Sequence, residues 1–245
     1  MFKKNLFISI AVILLAYLFC SVLYVDSNSN KSLICNKLRV DLVYPPERDC
    51  LTENDIITDI AKAGLSPVGK ELSTISTAAI ENKLKENELI KRVECYKTVD
   101  GTVRVKVFQR VPVLRVFSSS GNYYVDNNGE KMPVPSHFAA YVPVASGFIK
   151  DEFAQNQLYE FALFLQQDKF WNSLIKQIYI APNGNVELTP VVGDHQIILG
   201  KIEDYKENLN KLRLFYEKGL SKVGWSKYSV INLKFKNQVV CTKKE

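Results

Sequence analysis

Histidine is nearly absent from this chain, and cysteine is scarce: two histidines and five cysteines in 245 residues. His137 and His195 are far apart in sequence, and each reads as a turn or surface histidine rather than a general base or metal ligand. No HExxH, GxSxG or Walker sequence occurs, so metalloprotease, serine-hydrolase and P-loop chemistry have no motif to rest on. Ser173-Leu174-Ile175-Lys176 has SxxK spacing, but Lys176 opens an apparent strand instead of lying one helical turn from the serine. The cysteines form no CxxC and no Cys/His cluster, which excludes a zinc site and a disulfide-dense scaffold. Cys20 falls in an apolar run. Among Cys35, Cys50, Cys95 and Cys241 one pair has the option of oxidising outside the cytoplasm, Cys35 and Cys50 being nearest in sequence, and spacing does not choose the pair. Neither a cofactor nor a metal is implied. A carboxylate pair for glycan hydrolysis is defined by distance in space, so a cell-wall enzyme stays open as an alternative.

Long apolar runs are also lacking, with one exception. Leu6 to Val25 carries no charge and is broken only by Ser9, Cys20 and Ser21. As a helix it spans roughly 30 Å, the hydrocarbon thickness of a bilayer. Lys3 and Lys4 precede it and the first charge after it is Asp26, which predicts a cytoplasmic N-terminus and export of the rest. The run exceeds the ~7–15 apolar residues of a signal peptide and is not followed by a small-x-small cleavage site before Val25, so an uncleaved anchor is expected. Ser9 and Ser21 are candidate polar contacts with neighbouring membrane helices. Removing Lys3 and Lys4 from the formal net charge of +6 leaves the exported part mildly cationic, an ordinary solvated surface that calls for no nucleic acid.

Behind a polar linker (26–33), two modules follow. In the first, Leu38, Val40, Leu42 and Tyr44 alternate as in a half-buried strand, which Pro45-Pro46 ends. Thr52 and Asp55 form a capping-box start for a helix with Ile56, Ile57, Ile60 and Ala63 on one face and Gly64 as its stop. Ser76 or Thr77 opens a second helix, Ile80 and Leu84 inward, with Glu81, Lys83 and Lys85 outward. Strands at 90–98 and from Val103 flank an Asp100-Gly101 turn, giving the order β-α-α-β-β. The second module starts near Pro112. It shows a hairpin around Asp126-Asn127-Asn128-Gly129, a helix between Phe153 and Gln166, short strands at 175–180, 186–189 and 196–199, and a helix from Ile202 ended by Gly219. Val230 to Val240 closes the fold as a strand-rich stretch. A terminal strand at Phe235 to Val240 is either fully paired or an edge open to an incoming segment, and the residues alone do not decide. The fold class is α+β.

Three short motifs carry a resemblance across these modules: Val107-Phe108-Gln109-Arg110-Val111-Pro112-Val113, Tyr124-Val125-Asp126-Asn127-Asn128-Gly129, and Ile231-Asn232-Leu233-Lys234-Phe235. Their order behind one anchor resembles the bacterial cell-division family FtsQ/DivIB, and the ending Asn237 to Lys243 is similar to its Bacteroidetes branch. Gln109 stands where an acidic residue is common, and Asn232 where aspartate is. The resemblance implies a cytoplasmic tail (1–5), a transmembrane helix (6–25), a linker (26–33), a POTRA domain (34–111), a mixed β domain with helices (112–240) and a tail (241–245). Its implied role is a divisome scaffold without enzymatic activity, at the septum, with the bulk in the periplasm. The β domain would recruit FtsB and FtsL homologues, and the POTRA domain and anchor would meet other division proteins. Phe235 would fill a side-chain pocket, Lys236, Asn237, Gln238, Val239 and Val240 would carry the added strand, and Arg110, Val111 and Pro112 would form the exit between domains. A POTRA-bearing export protein is the remaining alternative, although no series of alternating strands long enough for a barrel follows.

Overall fold

The computed structural model describes residues 13–18, 21, 33–43, 50–135 and 138–244. Residues 13–18 and 21 are helical, and among the described residues no helix is long and apolar enough to cross a membrane. Most of the expected anchor Leu6–Val25, Pro45-Pro46 and His137 lie outside the described residues.

The first module is a three-stranded sheet, β1 (Lys37–Leu42), β2 (Ile90–Lys97) and β3 (Thr102–Gln109), in the order β1-β3-β2. β1 runs parallel to β3 and β2 antiparallel to it. Helices α1 (Glu53–Lys62) and α2 (Thr77–Lys85) cover one face. Local chemistry sets both starts. The Thr52 hydroxyl accepts from the Asp55 N–H while the Asp55 carboxylate accepts from Thr52 N–H, and Ser76 accepts from Ala79 N–H. Ile56, Ile60, Ile80 and Leu84 pack against Val103, Val105 and Val107, the inward residues of β3. Ile57 turns out to solvent, because the stripe that meets the sheet is narrower than the apolar spacing allows. A short 3-10 turn at Leu72–Thr74 stands between the helices.

Only Arg110 and Val111 separate β3 from β4 (Pro112–Ser118), the entry to a nine-stranded sheet. The further strands are β5 (Gly121–Asp126), β6 (Lys131–Met132), β7 (Val144–Gly147), β8 (Ile175–Ile180), β9 (Val186–Pro190), β10 (Gln196–Gly200), β11 (Tyr228–Asn232) and β12 (Val240–Lys243). Their order is β12-β11-β10-β9-β8-β7-β4-β5-β6, with parallel pairs at β4–β7, β7–β8 and β10–β11. One large core forms between this sheet and helices α3 (Asp151–Gln155), α4 (Gln157–Gln167), α5 (Lys169–Leu174) and α6 (Tyr205–Phe215). Leu158, Phe161, Ala162 and Leu165 supply the buried stripe of α4, as their spacing predicts.

Three local expectations need correction. The single helix over 153–166 is two, because Asn156 leaves helical geometry with φ −115° and ψ −95°. Gly219 does not end the helix that follows β10. The chain widens into a π turn at Tyr216–Leu220 and continues to Val223, and Gly224, at φ +91°, makes the stop. A Cβ at Gly219 would meet the Phe215 ring at 2.9 Å, so this glycine lets the ring lie against the turn. Phe235 to Val239 is not a strand: β11 ends at Asn232, and the chain turns through Asn237 at φ +59° before β12.

Candidate partner-binding surface

β12 is the last strand of the large sheet, with β11 its only strand neighbour among the described residues. Its open side can be read from the hydrogen bonds of β11. Leu233 N–H donates to Ile198 O on β10 at 2.9 Å, so Leu233 and, by alternation, Ile231 face β10. Val230 and Asn232 therefore face β12, opposite Thr242 and Val240. Lys244 N–H donates to Lys227 O at 3.1 Å, in the same phase. The backbone groups of Cys241 and Lys243 point away from the sheet. That leaves a free edge of N–H and C=O groups, an arrangement an extended peptide can extend by one strand.

The turn that precedes this edge is held by specific bonds. Asn232 Oδ1 accepts from Lys234 N–H at 3.1 Å, which bends the chain out of β11. The Lys211 ammonium, on α6, donates to both Leu233 O and Phe235 O at 2.9 Å. These bonds are the physical reason the predicted strand stops early. Phe235, Lys236, Asn237 and Gln238 are exposed on the turn, Val239 packs against the core just before the strand, and Val240 opens β12. Cys241, Thr242 and Lys243, expected as part of a tail, are in the strand. A groove of about 660 Å³ runs beside the turn, between Leu214, Phe215 and Lys218 on one side and Asn237, Gln238 and Val239 on the other. A second cleft, about 510 Å³, gathers Lys201, Lys211, Lys234 and Lys236 around Asp204 and Glu207.

Arg110, Val111 and Pro112 lie at the joint between modules. Arg110 donates from Nε to Asp126 Oδ2 at 2.8 Å, from Nη2 to Lys131 O at 2.8 Å and from Nη1 to Glu88 O at 3.3 Å. Asp126 is fully buried, and its other oxygen accepts from Asn128 N–H (2.8 Å) and Glu130 N–H (3.0 Å). The aspartate of the hairpin motif thus closes its own turn and clamps the arginine of the exit motif. Val111 O accepts from Asn127 N–H at 2.9 Å, and Pro112 opens β4 opposite Asp126. Gln109, one residue earlier, accepts from Leu51 N–H at 3.0 Å and donates to Leu51 O at 3.4 Å. An ionised acidic residue there could accept but not donate. A small apolar cluster of Cys50, Tyr124, Met132 and Val142, flanked by Leu89, fills the contact between modules.

Elsewhere the polar chemistry is structural. His195 is buried, not a surface turn residue: Nε2 lies 2.8 Å from the Tyr216 hydroxyl, and the Trp225 ring lies tilted 6.5 Å away. Burial pushes the imidazole pKa below its ordinary value, partly offset by the Trp225 backbone. Asp194 beside it forms an ion pair with Lys244, which holds its carboxyl pKa down and ties the β9–β10 turn to the end of β12. Asp151 accepts from Lys131, from Ser120 and from Tyr123, and these bonds hold its pKa at about 2. Burial and this carboxylate raise the Tyr123 hydroxyl to about 12. Cys35, Cys95 and Cys241 are free thiols; burial, then Glu81, raises Cys95 to about 11, where it is a poor nucleophile. Among the described residues no group of three or more His, Cys, Asp or Glu side chains could hold a metal.

A small module of three strands and two helices, locked to a large mixed sheet that ends in an open edge, defines a POTRA-like domain followed by a β domain. Residues 33–108 match the POTRA-like domain family, and residues 111–242 match the family described as FtsQ/DivIB, C-terminal related. The chain belongs to the FtsQ/DivIB family. It is similar to the cell division protein FtsQ of Rhodothermus marinus, 26% identical over 187 residues that cover 70% of this chain and 67% of that protein.

Proposed function

We propose that this chain is a membrane-anchored, non-enzymatic scaffold of the division complex that captures the FtsB–FtsL pair by adding a strand to β12. Leu6–Val25 provides the anchor in the cytoplasmic membrane, both modules stand in the periplasm, and the POTRA-like domain meets other division proteins at the septum. The observation that carries the reading is the free edge at Cys241 and Lys243 beside a turn pinned by Lys211. Backbone pairing at such an edge supplies affinity, and pockets for alternate side chains supply selectivity. Phe235, 43% exposed on the turn, is the aromatic available to an incoming side chain, and the groove against Leu214 and Phe215 is the adjoining pocket. The partner strand pairs with residues 240–243, while 235–239 contributes side chains rather than ladder bonds.

The test is co-purification of the full chain with the FtsB–FtsL pair of its host. Lys243→Pro removes an outward N–H and leaves the bonds to β11 in place, so capture should weaken about tenfold, equivalent to roughly 1.4 kcal/mol. Capture at wild-type strength would reject the β12 interface. Depletion in the host should give filaments with blocked septa.

A further inference from the structure

β2 is the outer strand of the small sheet, and β3 is its one strand neighbour among the described residues. An edge strand normally leaves a row of unpaired backbone groups. Here one of them is taken. Cys95 stands opposite Val105, yet its N–H donates to Oε1 of Glu81, on helix α2, at 2.7 Å. Thr98 N–H donates inward to Thr102 O at 2.9 Å, which fixes the phase: Val93, Cys95 and Lys97 face outward. Glu81 therefore bonds the middle of three outward residues. Its second oxygen lies 4.0 Å from the Lys85 ammonium, one turn along the helix, so the carboxylate is held from both sides.

We infer that Glu81 guards the β2 edge, occupying the hydrogen-bonding position that β2 of a second copy of this chain needs in order to pair there. The same strand in a second copy is the fitting occupant: it offers matching alternation, and no proline interrupts Ile90–Lys97. A carboxylate makes a stronger acceptor than a peptide carbonyl, and its negative charge repels the carbonyl that would replace it. The guard confines strand pairing in the POTRA-like domain to its own sheet. It operates without any partner protein, so its failure would leave the proposed role of β12 untouched.

The experiment compares the full detergent-solubilised chain as wild type, Glu81→Ala, Glu81→Gln and the double variant Glu81→Ala with Lys97→Pro. Hydrogen exchange reports the Cys95 amide, and light scattering reports mass against concentration. Glu81→Ala should speed exchange at Cys95 at least tenfold and tighten self-association at least tenfold. Glu81→Gln, which still offers a carbonyl acceptor, should stay near wild type. The double variant should return to wild-type mass, because proline removes an outward donor. Glu81→Ala that associates no more than wild type overturns the inference. So does association that the double variant retains, or a loss of protection at Ile56 and Ile60 that marks unfolding instead of an opened edge.

Discussion

Arg110 and Asp126 meet across the joint of the two modules, Nε to Oδ2 at 2.8 Å, with the aspartate fully buried and the arginine side chain 14% exposed. Arg110→Met removes the cation and leaves a buried carboxylate uncompensated, a loss on the order of 3–5 kcal/mol. Arg110→Lys cannot reproduce the fork that also reaches Lys131 O and Glu88 O, and should recover only part of it. Urea denaturation of both variants checks the order wild type, lysine, methionine.

Gly147 has φ +104°, and a Cβ there would meet Ile180 O at 2.3 Å. Gly147→Ala adds left-handed strain to a backbone clash between β7 and β8, about 3 kcal/mol or more. Gly184 has φ +79° with nothing within 4 Å. Gly184→Ala should therefore cost only about 1 kcal/mol. Thermal melts of the pair separate conformational strain from crowding; equal losses would contradict the assignment.

His195 titrates lower in the fold than in the unfolded chain, because burial disfavours the imidazolium. Between the two pKa values the unfolded state binds more protons, so stability is full above about pH 6.5 and falls as pH drops through that value toward the folded one. Urea midpoints at pH 7.5 and 5.5 should differ in the wild type and differ less in His195→Gln.

Lys211 holds the turn before β12 by two carbonyls. Lys211→Met keeps most of the side chain's apolar length and removes the ammonium. The amides of Phe235 to Val239 should then exchange faster, and capture of the partner pair should weaken about fivefold, while the unfolding midpoint moves little. Unaltered exchange in that segment would show that the turn is set by other bonds.

The first module was legible because its chemistry is local. Thr52 with Asp55, Ser76, and the valines at 103, 105 and 107 each announce an element within a few residues, and each is where the pattern placed it. The second module was legible in its elements but not in its sheet order, since β4–β7–β8 and β10–β11 pair through parallel crossovers that no local pattern records. The terminal strand begins a few residues later than the pattern suggests for a similar reason. Val239 and Val240 look like continuous strand, whereas Lys211, distant in sequence, pulls the chain into a turn. By its spacing Glu81 looks like an outward helical charge, because its acceptor role depends on Cys95, brought beside it only by folding. His195 looked like a turn residue because its neighbours are Gly193 and Asp194, and its burial comes from Tyr216 and Trp225.

Among the described residues β11 and β12 follow the other strands in sequence, and β12 joins the large sheet only through β11, which pairs with β10. The β12 edge is therefore in place only where the β11–β12 hairpin is seated on β10. Without the residues from Tyr228 onward the sheet would end at β10, whose edge presents other side chains and lacks the turn that Lys211 holds. On the proposed role, strand addition at β12 would select for chains in which this hairpin is seated on the sheet.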